Sequence, residues 1–222
     1  MASAASQVDP RRTMPTLAGV LRLVPALPPE RICMNPLPGT ASETDSIHSQ
    51  DQLGFICELV NGTLVRKTVG LYESALAAEI IVLIGAFLKK HRLGRLTGPD
   101  GPTRLKKGVV IFPDIAFYSW ERLKKSPIKR GTAAAQVSPD LVIEILSPGN
   151  TPQEMEDKLS DYLAAKVRLV WYIDPKTKTA KAWQSQSRCT DIPASGALDG
   201  SDVLPGFKLN LRQLFASVEE AG

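Results

Sequence analysis

Cysteine is scarce in this sequence. The 222 residues hold three, Cys33, Cys57 and Cys189, with no CxxC spacing among them. An odd, scattered set argues against a disulfide framework and for a reducing, cytoplasmic setting. Histidine is scarcer still: His48 lies in a polar N-terminal stretch and His91 at a helix end, so neither suggests a metal ligand. Ser147 therefore has no evident His partner, which disfavours a Ser/His/Asp hydrolase. Aromatics make up 6% and form no row on which single-stranded bases could stack. There is no GxGxxG after a strand and no Walker loop, so dinucleotide and P-loop chemistry find no support. No internal repeat appears. The longest apolar stretch, Leu76 to Leu88, contains Glu79 and is too short to span a bilayer, so no membrane partner is expected.

What is present is ordinary for a globular protein: 43% hydrophobic, 23% charged, net charge +4. That charge permits nucleic-acid binding without demanding it. Residues 1–50 are rich in Pro, Ser, Ala and Thr without a sustained period, and are expected to be a disordered tail. Arg11 and Arg12 followed by TMPTLAGVLRLVPALPP faintly suggest a signal or transit segment, but Pro and Arg interrupt its apolar part. Met14 and Met34 are alternative starts. The folded domain is expected over 51–218.

Within it, GFICELVNGTLVRKTVG reads as a hairpin turning at Asn61-Gly62. YESALAAEIIVLIGAFLKKH has helical spacing and ends on Lys89, Lys90 and His91, favourable at the negative end of the helix dipole. GRLTGPDGPTRLKKG is a loop or short hairpin, VVIFPDIAFYSW a strand, SWERLKK a helical turn and PDLVIEIL a strand. TPQEMEDKLSDYLAAK is a helix, with Thr151 as N-cap, Pro152 at its first position and Glu154 completing a capping box. RLVWYIDP and TAKAWQSQ form a second hairpin, and VLPGFKLNLRQLF closes the domain with a strand and a short helix. Strand pairs alternating with helices imply an α/β (α+β) fold with a central mixed sheet flanked by helices.

Glu144 poses the chemical question. It stands inside the apolar run LVIEIL, where an unpaired carboxylate is costly. Side-chain alternation puts Asp140, Val142, Glu144 and Leu146 on one face. If the strand carrying Asp114 lies alongside, Asp114 and Glu144 converge. Carboxylate oxygens at one point suit a hard divalent ion, Mg²⁺ or Mn²⁺, able to polarise a phosphodiester and lower the pKa of a bound water. Lys158 on the next helix can neutralise developing phosphate charge if that helix packs back on the sheet. Each residue also has a structural reading. Asp114 can cap a turn after Pro113, and Asp140 can bond backbone at a strand start. Glu144 can face water from an edge strand, Lys158 can be a solvated helix residue, and Glu73 can favour a helix N-terminus.

The ordered series FPDIAFYS, SPDLVIEILSP, EMEDKLSDYLAAKVRLVWYIDP and LPGFKLNLRQLF, opened by FICELVNGTLV, resembles the Uma-two family of restriction-endonuclease-like proteins over residues 53–216. The resemblance implies a PD-(D/E)XK nuclease-like core and a metal-dependent DNA endonuclease. Asp114 and Glu144 would be metal carboxylates and Lys158 the catalytic lysine, moved onto the helix because Leu146 stands at the usual lysine position. Glu73 would be the helix carboxylate that many superfamily members carry, and Asp140 matches a family position of unassigned role. Duplex DNA is then the expected partner, with phosphate contacts from Arg104, Lys106 and Lys107 and from Lys124, Lys125, Lys129 and Arg130. Cutting both strands suggests a homodimer. A non-catalytic DNA-binding or regulatory module on the same fold is the alternative.

Overall fold

A computed structural model describes residues 27–68 and 70–220, together with residues 16, 18, 19, 22 and 24. Two short helices, α1 (Glu43–Ile47) and α2 (Ser49–Leu53), lead into the hairpin of β1 (Cys57–Val60) and β2 (Thr63–Arg66). Asn61 and Gly62 both take positive φ, 48° and 69°, as a two-residue turn matched to strand twist requires. The long helix α3 (Leu71–His91) follows, then β3 (Gly94–Thr97), β4 (Thr103–Lys106), β5 (Val109–Ile111) and β6 (Ile115–Ser119). Next come α4 (Trp120–Lys125), β7 (Leu141–Ile145), α5 (Pro152–Ala164), β8 (Leu169–Asp174), β9 (Thr179–Ser185) and β10 (Arg188–Ile192). The chain ends in β11 (Ala197–Asp199), β12 (Lys208–Asn210) and α6 (Leu211–Glu219).

The centre is a six-stranded sheet in the order β10-β9-β8-β7-β6-β3. It is mixed: β7 and β8 run parallel, joined by the crossover helix α5, and the other pairs are antiparallel. Alternation gives each face its own core. Leu141, Ile143 and Ile145 of β7, with Phe117 and Trp171, face α3 and α6. Helix α3 meets them with Leu76, Ile80, Ile84 and Leu88, a stripe at helical spacing in which each full burial contributes about 1.5–3 kcal/mol. By length and composition alone α3 could cross a membrane, and this stripe is what fixes it to the sheet. On the other face, Val142, Val170 and Tyr172 pack against Met155, Leu159 and Tyr162 of α5. Thr151 caps α5: its hydroxyl accepts from the Glu154 N–H at 3.1 Å, and the Glu154 carboxylate accepts from the Thr151 N–H at 3.3 Å.

A four-stranded sheet, β2-β1-β5-β4, stands beside this core. VVIFPDIAFYSW is therefore two strands in two sheets rather than one. Pro113 carries no N–H and cannot continue a ladder, and the chain changes sheets there.

The expectation of an unstructured tail through residue 50 does not hold for the described residues from 27 on. Strand β2 is a sheet edge, and such edges seek cover. Ile32 bridges to Val65, and the Cys33 and Ala41 N–H groups donate to the carbonyls of Leu64 and Gly62 at 2.9 and 2.8 Å. Val24 and Leu27 cover Val65. The Cys33 and Cys57 thiols, distant in sequence, come within 3.4 Å of each other. Most of residues 1–26 lies outside the described residues.

Candidate active site

The register Ile115↔Ile143 and Ala116↔Val142, continued one step, places Asp114 opposite Glu144. The strands are locked there by the Ile145 N–H, which donates to Asp114 Oδ2 at 2.8 Å. Glu144 is a central-strand residue, only 5% exposed, so the wet-edge reading fails. It shares the Val142 face, over which α5 lies. Glu154, Lys158 and Tyr162 are four residues apart on α5 and line one inward face. From that face the Tyr162 hydroxyl donates a short hydrogen bond to Glu144 Oε1, and Lys158 Nζ stands 3.9 Å from the same oxygen. Lys158 is buried, not solvated.

Two further residues complete the cluster, and neither was singled out from the sequence. Glu58, in β1, receives Lys158 Nζ at 2.9 and 2.8 Å on its two oxygens and the Phe112 N–H at 3.2 Å. Its signal was present: a carboxylate inside the apolar run FICELV, the pattern that flagged Glu144. Lys67, just after β2, donates to Asp114 Oδ1 at 2.9 Å and to the carbonyls of Phe112 and Pro99 at 2.6 and 3.3 Å. Nothing in the local sequence marks it, because its acceptors come from distant turns.

Burial is the main force raising the Glu144 pKa to about 7; Lys158 and Lys67 oppose the rise, while Asp114 and Glu58 add to it. Lys158 is held above the ordinary lysine value despite burial, because Glu144, Glu58 and Glu154 surround it. Those carboxylates favour its charged form. Burial and neighbouring carboxylates push Tyr162 far up as well, so its hydroxyl serves as a donor. With Glu154 paired to Arg31, the carboxylates of Glu58, Asp114 and Glu144 face two ammonium groups, Lys158 and Lys67, and the excess negative charge favours protonation of Glu144.

Mg²⁺ commonly binds through one or two carboxylates, with water filling its shell. Asp114 and Glu144 fit that demand, and the hard oxygens around Asp114 already gather about a cation, the Lys67 ammonium. Among the described residues no three His, Cys, Asp or Glu side chains form a metal cage. The donor set therefore suits a hydrated hard ion and not a closed site.

The remaining candidates lie elsewhere. Glu73 folds back over Gly70 and lines a groove of about 880 Å³ with Ser147, Asn150 and Asp174. Among the described residues no ion pair or hydrogen bond joins it to the cluster. Asp140 sits at the other end of β7 in an anchoring network. Arg104 pairs with Glu43 and bonds Gln136, and Lys106 pairs with Asp161 at 2.5 Å. Lys107 is exposed. Lys124 and Lys125 are exposed on α4, which leaves the end of β6 away from Asp114. Lys129 and Arg130 are exposed in the loop that follows.

The family described as "Putative restriction endonuclease", Uma2, matches residues 45–212. The chain belongs to the Uma2 family. Its fold is accordingly restriction-endonuclease-like. A solved structure described as a "putative nuclease belonging to DUF820" from Anabaena variabilis ATCC 29413 superposes with a TM-score of 0.66 at 20% identity, covering 74% of this chain and 92% of that one. At that identity the likeness speaks for the fold alone. No curated protein matches the chain. In this Uma2 chain the cluster of Glu58, Asp114, Glu144 and Lys158 lies where the two sheets meet α5.

Proposed function

We propose that this Uma2 protein is a Mg²⁺- or Mn²⁺-dependent endonuclease of duplex DNA that acts in the cytoplasm. The observation that carries the reading is the facing pair Asp114 and Glu144, with Lys158 held beside them by Glu58. Asp114 and Glu144 would hold the ion, which when bound supplies Lewis-acid polarisation of the phosphate and a more acidic water. The chain's own groups do the rest. Lys158, kept charged by its carboxylate neighbours, offsets negative charge developing on the phosphate. Glu58 positions Lys158, and Tyr162 fixes one oxygen of Glu144. Lys106, Lys107, Lys129 and Arg130 are proposed phosphate contacts, and steep loss of DNA affinity with added salt is the expected sign of them.

The test is cleavage of supercoiled plasmid with Mg²⁺ or Mn²⁺ by wild type and Asp114→Asn. Nicking that needs the ion and is lost in the variant supports the proposal. Equal nicking by both proteins would remove Asp114 from the site. The second reading, a non-catalytic DNA-binding module, draws on the internal pairing of the cluster and the cover that Leu27 and Val24 place over the small cavity beside Glu58 and Lys158. It requires DNA affinity without cleavage.

The homodimer is proposed through α3. Leu71, Ala78 and Val82 are exposed along one side, flanked by Glu79 toward its start and by Lys89 and Lys90 at its end. Two antiparallel copies would bring opposite charges together. Sedimentation should show a dimer that Val82→Asp converts to monomer; a wild-type monomer would dismiss it.

A further inference from the structure

We infer that Lys67 is a built-in cation that takes the place of a second divalent ion beside Asp114 and so limits the site to one. The inference rests on the metal-dependent reading above and goes beyond it.

Lys67 is buried. A lysine has three protons to donate, and here they meet three oxygens: Asp114 Oδ1 at 2.9 Å and the main-chain carbonyls of Phe112 at 2.6 Å and Pro99 at 3.3 Å. One carboxylate and two carbonyls form the hard oxygen set that divalent ions choose. The oxygens come from two separate turns, one between β5 and β6 and one between β3 and β4. Both turns direct a carbonyl to the one ammonium that Asp114 also holds. Each Asp114 oxygen thus has one protein partner, since its Oδ2 accepts the Ile145 N–H at 2.8 Å, and a lone pair on each is left for one ion toward Glu144. Lys158, the other ammonium of the cluster, is bound chiefly to Glu58, so the outer side of Asp114 belongs to Lys67.

Two consequences follow from charge and space. An ion held between Asp114 and Glu144 sits next to a fixed positive charge that it cannot displace without leaving two carbonyls and one carboxylate oxygen unpaired. A second ion on the outer side of Asp114 finds its oxygens taken. Lys67 is a positioning residue: it sets how many ions the site accepts and how tightly.

The experiment is Mn²⁺ binding to the full chain, read by electron paramagnetic resonance of the free ion, for wild type, Lys67→Met, Lys67→Arg and Asp114→Asn. Wild type should bind one ion, lost in Asp114→Asn. Lys67→Met should bind on the order of 10-fold more tightly or take a second ion, because a like charge close by is gone. Lys67→Arg keeps the charge and should behave as wild type. Circular dichroism checks folding, and if Lys67→Met fails to fold, Lys67→Gln carries the same comparison. A folded neutral variant with wild-type affinity and stoichiometry overturns the inference. So does Lys67→Arg binding as tightly as Lys67→Met. In either case, wild-type binding that is lost in Asp114→Asn leaves the metal-dependent reading standing. No Mn²⁺ bound by any of the four proteins would sink that reading and this inference together.

Discussion

Strand β7 carries a buried carboxylate at each end of one face, and the two behave in opposite ways. Asp140, just before the strand, is 2% exposed, and Glu144, within it, is 5% exposed. Burial disfavours both charges. At Asp140 the cost is outweighed: the Ser119 N–H donates at 2.8 Å, Arg122 Nε at 3.0 Å and Arg168 at 3.4 Å, and the carboxyl stays below its usual range. At Glu144 burial wins. Its nearest ammonium, Lys158, stands 3.9 Å away and is shared with Glu58, while Asp114 adds repulsion. The Asp140 end is a latch in which every partner is complementary. The Glu144 end sets three carboxylates around two ammonium groups, and burial with that repulsion favours the protonated Glu144 carboxyl. Similar burial on one strand gives opposite shifts, so the partners decide the role.

The comparison can be broken most directly by activity. Glu144→Gln should lower metal-dependent duplex cleavage by ~10³-fold, while Asp140→Asn should retain it at temperatures where the protein is folded. Equal losses in the two variants, measured on folded protein, would erase the distinction. Stability should show the reverse order. Asp140→Ala leaves Arg122 and the Ser119 N–H without their acceptor, and should cost about 3 kcal/mol in urea unfolding. A loss below about 0.5 kcal/mol, as for a surface change, would mean the latch contributes nothing.

The pH dependence sharpens the contrast further. Burial holds the folded-state pKa of Glu144 above the ordinary glutamate value of 4.5, at about 7. Its stabilising contribution is therefore full below pH 4.5 and is lost as pH rises toward 7. Metal-free Glu144→Gln lacks that loss, so relative to wild type it should gain about 3 kcal/mol between pH 4.5 and pH 8. Asp140 has the opposite sign: its contribution is present above pH 3.8 and lost below it, as the folded-state carboxyl takes up its proton. Thermal melts across pH 3–8 would reveal both slopes. A wild-type profile parallel to Glu144→Gln would show that Glu144 is not perturbed. The smallest effect should come from Tyr162→Phe, which removes one hydrogen bond to Glu144 and should cost about 1 kcal/mol; an unchanged melting temperature would mean the hydroxyl is idle.

Much of this was legible in the residues. Asn61-Gly62 announced its turn, the Thr151–Glu154 box announced its helix, and Glu144 stood out because an apolar strand should not carry a charge. Asp114 and Glu144 could be paired on paper only on condition that their strands were neighbours, which strand alternation does not decide. Other features were out of reach. Glu58 carried the same mark as Glu144 but belonged to a hairpin whose position against α5 no local pattern states. Lys67 had no mark at all. Arg31, in a segment whose composition read as tail, is 6% exposed and grips Glu154 at 2.8 and 2.9 Å, because an open edge of β2 lay ready to receive the chain before it.

The sequence by itself determined the elements and the chemical types: turn residues, caps and apolar periods act over a few residues, and a carboxylate among apolar side chains announces its own cost. Only the tertiary structure decided which charges meet. Lys158 and Glu58 are a hundred residues apart, and Lys67 finds its three oxygens on turns that local rules do not orient. Electrostatics depends on distance in space, and that distance is set by how the sheets and α5 pack.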